Sequence, residues 1–294
     1  MQIQYLRYFV AIADKKHFGE AAAHCAVSQP TLSAGLRALE QGLGKRLVER
    51  DRRFISLTKH GELILPWAQQ ILGSLRGLVQ AADTLTAPLQ GEFRLAAIPA
   101  ALPLIGPFCS TLLKQNPGLT LAIHSATSRD IDRGLVANSF DAGVTYLDHE
   151  PLSSTLSLPL HSESYLLLAR RGGAFDAMSE VNWVDIATHP MCLLHQGMQF
   201  RRILDREFAA RGLAVSSVVI ADSYVALLAI VRAGKYVTII PDAYADLVAG
   251  SDWSVLRRLS DPAPERRVGL VVPSREPMGP MAMAALRALK AQSS

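Results

Sequence analysis

The spacing of apolar residues near the start of the chain predicts three short helices. The first and third carry apolar residues on one stripe, as amphipathic helices do, and the second is rich in alanine. The predicted spans are Gln4–Asp14, Phe18–Cys25 and Ser28 to about Gln41. Ser28 is a suitable N-cap for the third helix, Pro30 fits its first turn, and Gly42 and Gly44 are expected to stop it.

A hairpin and a long helix are predicted next. The segments Leu47–Arg50 and Phe54–Leu57 flank Asp51-Arg52-Arg53, which indicates a two-stranded wing with arginines at its tip. One helix is then predicted over residues 58–90, capped by Thr58, kinked at Pro66 and ended by Pro88 and Gly91. It carries an apolar seam with the heptad spacing of paired helices: Ile64, Trp67, Ile71, Leu75, Leu78, Ala82 and Leu85. A helix packed on its own chain is the alternative, but the polar flanks favour a dimer helix.

After Gly91 short apolar segments alternate with helical ones. The predicted strands are Phe93–Ile98, Leu119–Ser125, Asp141–Leu147, Tyr165–Arg170, Met191–Leu194, Ser217–Ile220, Tyr236–Ile240 and Val268–Val272. The predicted helices are Pro103–Gln115, Arg129–Asn138, Gln199–Arg211, Ser223–Ala233, Pro241–Val248 and Met281–Lys290. This alternation predicts an α/β fold with parallel sheets covered on both faces and a ligand at the carboxyl ends of the strands.

Charge separates the two ends of the chain. Residues 1–60 contain ten Lys and Arg and five Asp and Glu, so their net charge is +5, whereas the remainder carries −1. A basic module joined to a nearly neutral remainder is typical of a nucleic-acid-binding segment. Cys25, Cys109 and Cys192 are far apart, which argues against a disulfide framework or a zinc cluster and suits a reducing cytoplasm. No signal peptide is expected, and prolines interrupt the uncharged residues 95–113, so no membrane span is expected either.

The third helix has the features of a recognition helix. Short polar groups at its N-terminal end can reach base edges in the major groove, glutamine can pair with adenine, and arginines can contact phosphate. The candidate DNA-binding residues are Ser28, Gln29, Pro30, Thr31, Ser33, Arg37, Arg50, Arg52 and Arg53. Each feature alone is compatible with an ordinary helix pair or a solvated turn; their order favours a winged helix-turn-helix.

A family resemblance rests on one extended pattern. Ser28-Gln29-Pro30-Thr31-Leu32-Ser33, Leu36, Leu39-Glu40, Leu43-Gly44, Leu47-Val48-Glu49-Arg50, Leu57-Thr58 and Gly61 resemble the LysR-type transcriptional regulators. The resemblance implies a transcription regulator that binds double-stranded promoter DNA, dimerises through a linker helix and assembles into homotetramers. It also implies a two-subdomain, Rossmann-like effector domain of the periplasmic-binding-protein type. We expect a winged helix-turn-helix over 1–58, the linker over 59–90 and the effector domain over 91–294. Its first subdomain is expected over 91–161 plus 267–294, and its second over 162–266. Ala34-Gly35 departs from the longer polar or basic residues usual there.

The resemblance also implies a small-molecule effector between the two subdomains. The residues expected to line that cleft are Ala100, Ala101, Thr127, Ser128, Thr145, Tyr146, His195, Gln199, Phe200 and Thr238. Hydroxyl groups and helix N-terminal amides suit a small anion such as a carboxylate, and no cofactor or metal is expected. His195 can equally be a satisfied turn histidine, and Thr127 and Ser128 an ordinary helix cap.

Three other function classes fit the sequence less well. Peroxide-sensing members of the family carry a reactive cysteine in the turn corresponding to Gly197–Phe200, where this chain has Met198 and Gln199. No GxGxxG, Walker A, HExxH or GxSxG motif indicates an enzyme. A solute-binding protein of similar fold is the main alternative, but it would leave the first 90 residues unexplained.

Overall fold

The computed structural model describes residues 2–50, 54–83, 88–148, 152 and 154–292. The N-terminal module contains helices α1 (Ile3–Lys15), α2 (Phe18–His24) and α3 (Gln29–Leu43). Their apolar stripes meet in one small core, and its fully buried side chains include Phe9, Ile12, Leu32, Leu36 and Leu39. Helix α3 continues through Gly42 and ends at Gly44, whose φ of 64° provides the left-handed C-cap. The predicted end near Gln41 is therefore two residues short.

The wing follows α3 as the antiparallel strands β1 (Val48–Arg50) and β2 (Phe54–Leu57). Glu40 positions its start, because Glu40 Oε1 accepts hydrogen bonds from the backbone N–H groups of Leu47 (2.9 Å) and Val48 (3.4 Å). The tip of the wing, with Arg52 and Arg53, lies outside the described residues.

Helix α4 (Lys59–Asp83) leaves the wing directly. Thr58 Oγ1 accepts from the Gly61 N–H at 3.0 Å and donates to the Arg46 carbonyl at 2.7 Å, so the expected cap also ties the helix to the wing. A Cβ atom at Gly61 would lie 2.0 Å from the Leu47 carbonyl oxygen, which explains glycine at this close approach. Pro66 lies inside the helix, and strand β3 begins at Gln90, so the helix does not extend to residue 90.

The apolar seam of α4 differs in part from the predicted one. Trp67, Ile71 and Leu78 are exposed, as expected for a seam without its partner helix, and the exposed fractions of Trp67 and Leu78 are 64% and 67%. Leu63, which was not among the predicted seam residues, is exposed as well. Ile64 instead packs against the core of the N-terminal module. Predicted seam residue Leu85 lies outside the described part of the chain.

A first lobe is built on a five-stranded sheet. Its strands are β3 (Gln90–Ala97), β4 (Gly118–Ser125), β5 (Ala142–Tyr146), β6 (Thr155–Glu163) and β13 (Arg266–Pro273), in the order β4-β3-β5-β13-β6. Helices α5 (Ile105–Gln115), α6 (Ser128–Val136) and α11 (Pro280–Lys290), and the 3-10 helix Pro99–Leu104, belong to the same lobe. We use "first lobe" for residues 88–148, 155–163 and 266–292.

A second lobe, residues 164–265, contains the remaining strands. They are β7 (Tyr165–Arg170), β8 (Glu180–Val181), β9 (Met191–Leu194), β10 (Ser217–Ala221), β11 (Thr238–Pro241) and β12 (Ser254–Leu259). A four-stranded sheet has the order β11-β7-β12-β8, and a bridge between Met191 and Val237 joins it to the β9–β10 pair. The helices are α7 (Trp183–Ala187), α8 (Gln199–Ala210), α9 (Tyr224–Ala233) and α10 (Ala245–Val248).

Both lobes have mixed sheets, so the expectation of parallel sheets is wrong. β13 runs antiparallel to β5 and β6, and β7 runs antiparallel to β11 and β12. Strands β6, β8 and β12 and helix α7 were also not predicted. Pro159 lies inside β6, which is at the edge of its sheet, where the missing N–H of proline is tolerated. Arg257 and Arg258 make β12 polar in sequence.

The first lobe contacts α4 of the same chain through Asn138. The Asn138 side chain donates to the Gln70 carbonyl at 3.3 Å, and Arg76 Nη2 donates to the Asn138 carbonyl at 2.6 Å. Arg275 Nη1 also donates to Asn138 Oδ1 at 2.6 Å. Asn138 has a φ of 56° and lies in the short turn that follows α6. This turn therefore packs against the middle of α4.

No helix in the described residues is both long enough and apolar enough to cross a membrane.

Candidate nucleic-acid interface and effector site

The N-terminal end of α3 is exposed and polar. Ser28 Oγ accepts from the Thr31 N–H at 3.3 Å and lies 2.8 Å from Thr31 Oγ1, so the predicted cap is formed. Ser28, Gln29, Pro30, Thr31 and Arg37 are exposed, and Ser33 is half-buried. Most of the predicted contact residues on α3 therefore lie where a groove of DNA can reach them. Arg50 is the last residue of β1, at the tip side of the wing.

Gly35 has a packing role that the sequence analysis did not find. A Cβ atom there would lie 2.5 Å from the ring of Tyr8, which crosses α3 at this point. Tyr8 is buried and receives a hydrogen bond from Gln4 Nε2 at 2.7 Å. Glycine at position 35 thus permits close contact between α1 and α3, in exchange for a small loss of helix propensity.

A small cavity lies between the two lobes. Its walls contain six of the ten predicted effector residues, and its full lining is Ile98, Pro99, Ala100, Thr127, Ser128, Tyr146, Leu194, Met198, Gln199 and Phe200. The space open to the centre of a water molecule is about 10 Å³. That is roughly the space that one water needs, so a larger ligand requires the lobes to separate.

Two helices begin at this cavity, one in each lobe. Thr127 caps α6, because its Oγ1 accepts from the Asp130 N–H at 3.2 Å. Met198 is the N-cap residue of α8 and provides no side-chain cap. Ser128 donates a short hydrogen bond to Gln199 Oε1, which links the first turns of these helices across the cavity. Helix N-termini carry partial positive charge, so the cavity favours an anionic group.

Four predicted effector residues do not line the cavity. His195 Nδ1 accepts from the Gly197 N–H at 3.0 Å, so this imidazole stabilises its own turn. Thr145 lies on the opposite face of β5 from Tyr146, because neighbouring residues of a strand alternate. Thr238 is buried in β11 beside Cys192, and Ala101 is buried within the 3-10 helix.

A buried polar cluster at the junction of the lobes was missed by the sequence analysis. Glu163 is the last residue of β6 and is fully buried. Its Oε1 accepts from the Tyr146 hydroxyl at 2.6 Å. Burial raises the pKa of Glu163 to about 8, although the hydrogen bond from Tyr146 lowers it, and Asp242 raises it further. No local signal in the sequence distinguishes this glutamate, since its neighbours come from distant segments.

The three cysteines are free thiols, and none lines the cavity. Burial raises the pKa of the Cys192 thiol to about 11, and burial also raises the pKa of Cys109 and of Cys25. Thiols with raised pKa values carry little thiolate at neutral pH and react slowly with oxidants.

A winged helix-turn-helix joined by a long helix to a two-lobed α/β domain with an interlobe cavity defines a ligand-responsive transcription regulator. Two family models match the chain: "Bacterial regulatory helix-turn-helix protein, lysR family" over residues 3–62 and "LysR substrate binding domain" over residues 86–294. The chain belongs to the LysR family of DNA-binding transcription regulators, whose activity is modulated by a small molecule.

Individual relatives extend over most of the chain. A probable hydrogen peroxide-inducible genes activator of Mycobacterium avium is 33% identical over 268 residues, which cover 90% of this chain and 86% of the relative. A full-length OxyR variant from Pseudomonas aeruginosa has a TM-score of 0.79 at 25% identity and covers 99% of this chain and 95% of that one. A hydrogen-peroxide-bound OxyR mutant of Corynebacterium glutamicum has a TM-score of 0.59 at 26% identity and covers 99% and 93%. The expected fold class and regulatory function are confirmed.

Proposed function

We propose that α3 reads the promoter through its exposed N-terminal end. The main support is the cap formed by Ser28, which leaves Gln29 and Thr31 exposed at the start of the helix. Ser33 and Arg37 lie further along the same helix. Gln29 then pairs with a base edge, and Arg37 and the wing arginines Arg50, Arg52 and Arg53 contact phosphate. Footprinting of the full chain on the DNA upstream of its own gene tests this assignment. A protected segment that disappears as salt is raised is expected; absence of protection at low salt would overturn it.

The effector is proposed to be a small molecule with an anionic group, bound in the interlobe cavity. The helix N-termini of α6 and α8 supply the favourable electrostatics, and the Ser128 hydroxyl supplies a hydrogen bond once it is released from Gln199. Thr127 contributes as the cap of α6, because its hydroxyl already donates to Asp130 Oδ2 at 2.7 Å. Because the cavity holds about one water, binding has to break the Ser128–Gln199 hydrogen bond and open the cleft. The ligand thereby changes the angle between the lobes.

A thermal-shift screen of the full chain against small carboxylates tests the anion site. A compound that raises the melting temperature of the wild type and fails to raise that of Ser128→Ala places the anion at α6. Equal shifts in both proteins would show that it binds elsewhere. Thr120→Ala, an exposed change on β4 away from the cavity, is the matched control.

The DNA-binding form is proposed to be a homodimer through α4, assembled into a homotetramer. Leu63, Trp67, Ile71 and Leu78 form an exposed apolar stripe, which is unusual for a monomer in water. Each lobe also exposes apolar side chains on an edge strand and an adjoining helix. These are Leu113 and Ile123 in the first lobe, and Val218, Ile220 and Val225 in the second. Two kinds of apolar surface allow two kinds of subunit contact.

The names of the relatives raise hydrogen peroxide response as a second candidate function. The raised thiol pKa of Cys192 disfavours it, and so does the lining of the cavity, which contains Met198 and Gln199 and no cysteine. Footprints of the wild type with and without hydrogen peroxide test this candidate. Identical footprints are expected. A peroxide-dependent change that Cys192→Ala abolishes would establish thiol sensing instead.

The proposed organisation is a winged helix-turn-helix over 1–58, a linker over 59–90 and an effector domain over 91–294. Its subdomains are 91–161 plus 267–294, and 162–266. We propose that the chain acts in the cytoplasm as a promoter-binding regulator and performs no turnover. The alternative, a small-molecule binding module without DNA function, predicts ligand binding by a chain that protects no DNA.

A further inference from the structure

Helix α8 of the second lobe is attached to the first lobe near both of its ends. At its first residue, Gln199 Oε1 accepts a hydrogen bond from the Ser128 hydroxyl of α6. Towards its other end, Glu207 Oε1 lies 3.4 Å from Arg266 Nη2 of β13. Ser128 and Arg266 both belong to the first lobe, so these two contacts hold α8 against it and keep the cleft closed.

The contact between Arg266 and Glu207 is the weaker of the two ion pairs that Glu207 makes. Arg211, on α8 itself, places its Nη1 2.9 Å from Glu207 Oε2. Arg266 is further away, and its Nε is buried without a hydrogen-bond partner. Arg266 can therefore leave Glu207 without stranding a buried carboxylate, because Arg211 stays with it.

A second carboxyl group lies beside Arg266 within the first lobe. Glu163 is the residue directly opposite Arg266 in the antiparallel pair of β6 and β13. Side chains of directly opposed residues lie on the same face of a sheet and are within contact distance. Glu163 is fully buried, its Oε1 accepts from the Tyr146 hydroxyl, and its Oε2 has no partner.

The Tyr165 hydroxyl faces both of these side chains. Burial raises the pKa of Tyr165, Glu163 raises it further, and Arg266 lowers it. This hydroxyl is also without a well-formed hydrogen bond, so Glu163 Oε2, Tyr165 and Arg266 Nε are three unpaired buried groups in one place. Unpaired buried polar atoms are destabilising and rare in native proteins. An Arg266 guanidinium turned from Glu207 towards Glu163 would donate to the carboxylate and to the Tyr165 oxygen.

The charge of Glu163 decides which carboxyl group Arg266 prefers. Burial raises the pKa of Glu163 to about 8, so at neutral pH it is mainly protonated and attracts a guanidinium less than the ionised Glu207 does. Arg266 is the cation available to it, because His161 of the same strand is paired with Asp242 at 2.9 Å. The other titratable groups that face Glu163 are neutral or acidic: Tyr146, Tyr165, Tyr224, Tyr244 and Asp242.

We propose that Glu163 and Arg266 form a proton-operated latch on the interlobe cleft. While Glu163 holds its proton, Arg266 binds Glu207 and the cleft is closed, as in this structure. When Glu163 loses its proton to solvent, the Arg266 guanidinium pairs with the Glu163 carboxylate inside the first lobe. The C-terminal part of α8 is then released, and Ser128–Gln199 alone holds this helix against the first lobe.

Two further contacts between the lobes do not involve the latch. His161 of β6 pairs with Asp242, and the Tyr244 hydroxyl donates to the Pro99 carbonyl at 2.6 Å. These contacts keep the lobes together at the crossover side while α8 moves. The cleft therefore opens more readily as the pH rises, whichever small molecule it binds, so the latch is independent of the identity of the effector.

Hydrogen–deuterium exchange of the full chain without ligand tests the latch. Wild type and Glu163→Gln, which mimics the protonated carboxyl, are compared with each other at about pH 6 and again at about pH 8.5, so the intrinsic pH dependence of exchange cancels. Peptides from α8 and from the start of α6 report the cleft, and α5 of the first lobe is the internal reference. Glu180→Gln, which changes an exposed carboxyl on β8, is the control variant.

At pH 8.5 the wild type is expected to exchange α8 at least about threefold faster than Glu163→Gln, with equal rates at pH 6 and an unchanged ratio in α5. Glu180→Gln should behave as the wild type. Equal α8 exchange of wild type and Glu163→Gln at pH 8.5 overturns the latch. A difference of the same size in α5 overturns it as well, because it reports a loss of global stability.

Arg266→Gln provides a second test that does not depend on the folding of Glu163→Gln. Without the guanidinium, α8 is expected to exchange faster than in the wild type at pH 6, and the two proteins should converge at pH 8.5. An Arg266→Gln protein that exchanges α8 like the wild type at pH 6 overturns the latch. Neither result bears on anion binding at the helix N-termini, which the thermal-shift screen tests separately.

Discussion

At the residue scale, Gln29 and Arg37 illustrate two kinds of contact on one helix. Gln29 lies at the exposed tip of α3, and Arg37 lies two turns further along on an exposed face. Gln29→Ala is expected to relax the base preference at one position of each half-site, because a bidentate base contact discriminates by about 1–3 kcal/mol. Binding to libraries with each operator position randomised measures this. An unchanged preference would place the base contacts elsewhere.

Arg37→Ala is expected to weaken binding uniformly across sequences. A phosphate contact carries no sequence information, and its loss lowers the slope of log K against log salt by about one. Titrations at several salt concentrations measure the slope. A changed base preference in Arg37→Ala would contradict the assignment to phosphate.

Glu163 gives a prediction for stability. Its pKa is raised in the folded state to about 8 from the ordinary glutamate value of 4.5, so the folded state holds a proton that the unfolded state releases between these values. The stability of the wild type therefore decreases as the pH rises from about 5 to 8. Glu163→Gln is expected to remove this loss, which is on the order of 3 kcal/mol at pH 7.

Melting curves of the wild type and Glu163→Gln between pH 5 and pH 8 check this prediction. The two proteins are expected to differ little at pH 5, and the variant is expected to be the more stable at pH 8. A constant difference across this range would show that Glu163 does not titrate in the folded protein.

The sequence is informative about single residues where their partners are local. Ser28 caps a helix through Thr31, three residues away, and the Gln29 tip follows from that cap. Glu163 could not be found in this way, because Tyr146 and Asp242 lie 17 and 79 positions away and only the fold brings them together. His195 is the opposite case, because its hydrogen-bond partner, the Gly197 N–H, lies within its own turn, as the alternative interpretation of a satisfied turn histidine expected.

At the element scale, the contact between α4 and the turn after α6 depends on Gly73. A Cβ atom at Gly73 would lie 2.1–2.3 Å from side-chain atoms of Asn138, whereas at Gly77, one turn later, it would meet nothing within 4 Å. Alanine is more favourable than glycine in a helix interior by about 0.5–1 kcal/mol. Gly77→Ala is therefore expected to stabilise the protein, and Gly73→Ala to destabilise it by displacing Asn138.

Calorimetric unfolding of both variants measures this difference. Each substitution adds the same methyl group to the same helix, so the difference isolates the packing against Asn138. Equal stabilisation by the two substitutions would show that α4 and the first lobe do not pack together in solution.

The bounds of elements with clear apolar periodicity could be predicted from the sequence, whereas the direction of the strands within each sheet could not. The strands Tyr165–Arg170 and Met191–Leu194 match the predicted bounds. Strand direction depends on how the chain crosses between the lobes, which no local pattern encodes, so the antiparallel placement of β13 and β7 was missed. Of the predicted seam of α4, Trp67, Ile71 and Leu78 are exposed, whereas Ile64 packs against the N-terminal core.

At the scale of the whole molecule, the exposed stripe of α4 predicts that assembly depends on Trp67. Trp67→Glu is expected to convert the tetramer into dimers joined through the lobes, because it buries a charge in the proposed apolar α4 interface. Glu62→Lys, an exposed change on another face of α4, is the control and is expected to leave the tetramer intact. Sedimentation equilibrium measures the mass. A tetrameric Trp67→Glu protein would show that subunit contacts do not depend on this stripe.

The proposed pairing of α4 helices also connects the DNA-binding module with the domain that contains the interlobe cavity. Two helix-turn-helix modules held by one pair of α4 helices present two α3 tips at a fixed separation, so half-site spacing is part of recognition. The first lobe contacts α4 through Asn138, and α6 runs from the cavity to that contact. If the proposed effector opens the cleft at Ser128, the displacement of α6 would therefore reach the α4 helix that sets the spacing.

In vitro selection by the purified full chain from a pool of random duplexes tests the central claim most directly. A regulator that reads DNA with paired α3 helices should enrich an inverted repeat whose half-sites are separated by about one or two helical turns. The enriched site should bind the wild type far more tightly than random DNA, and Gln29→Ala should lose part of that preference. A pool without an enriched motif, or a motif unaffected by Gln29→Ala, would contradict the account.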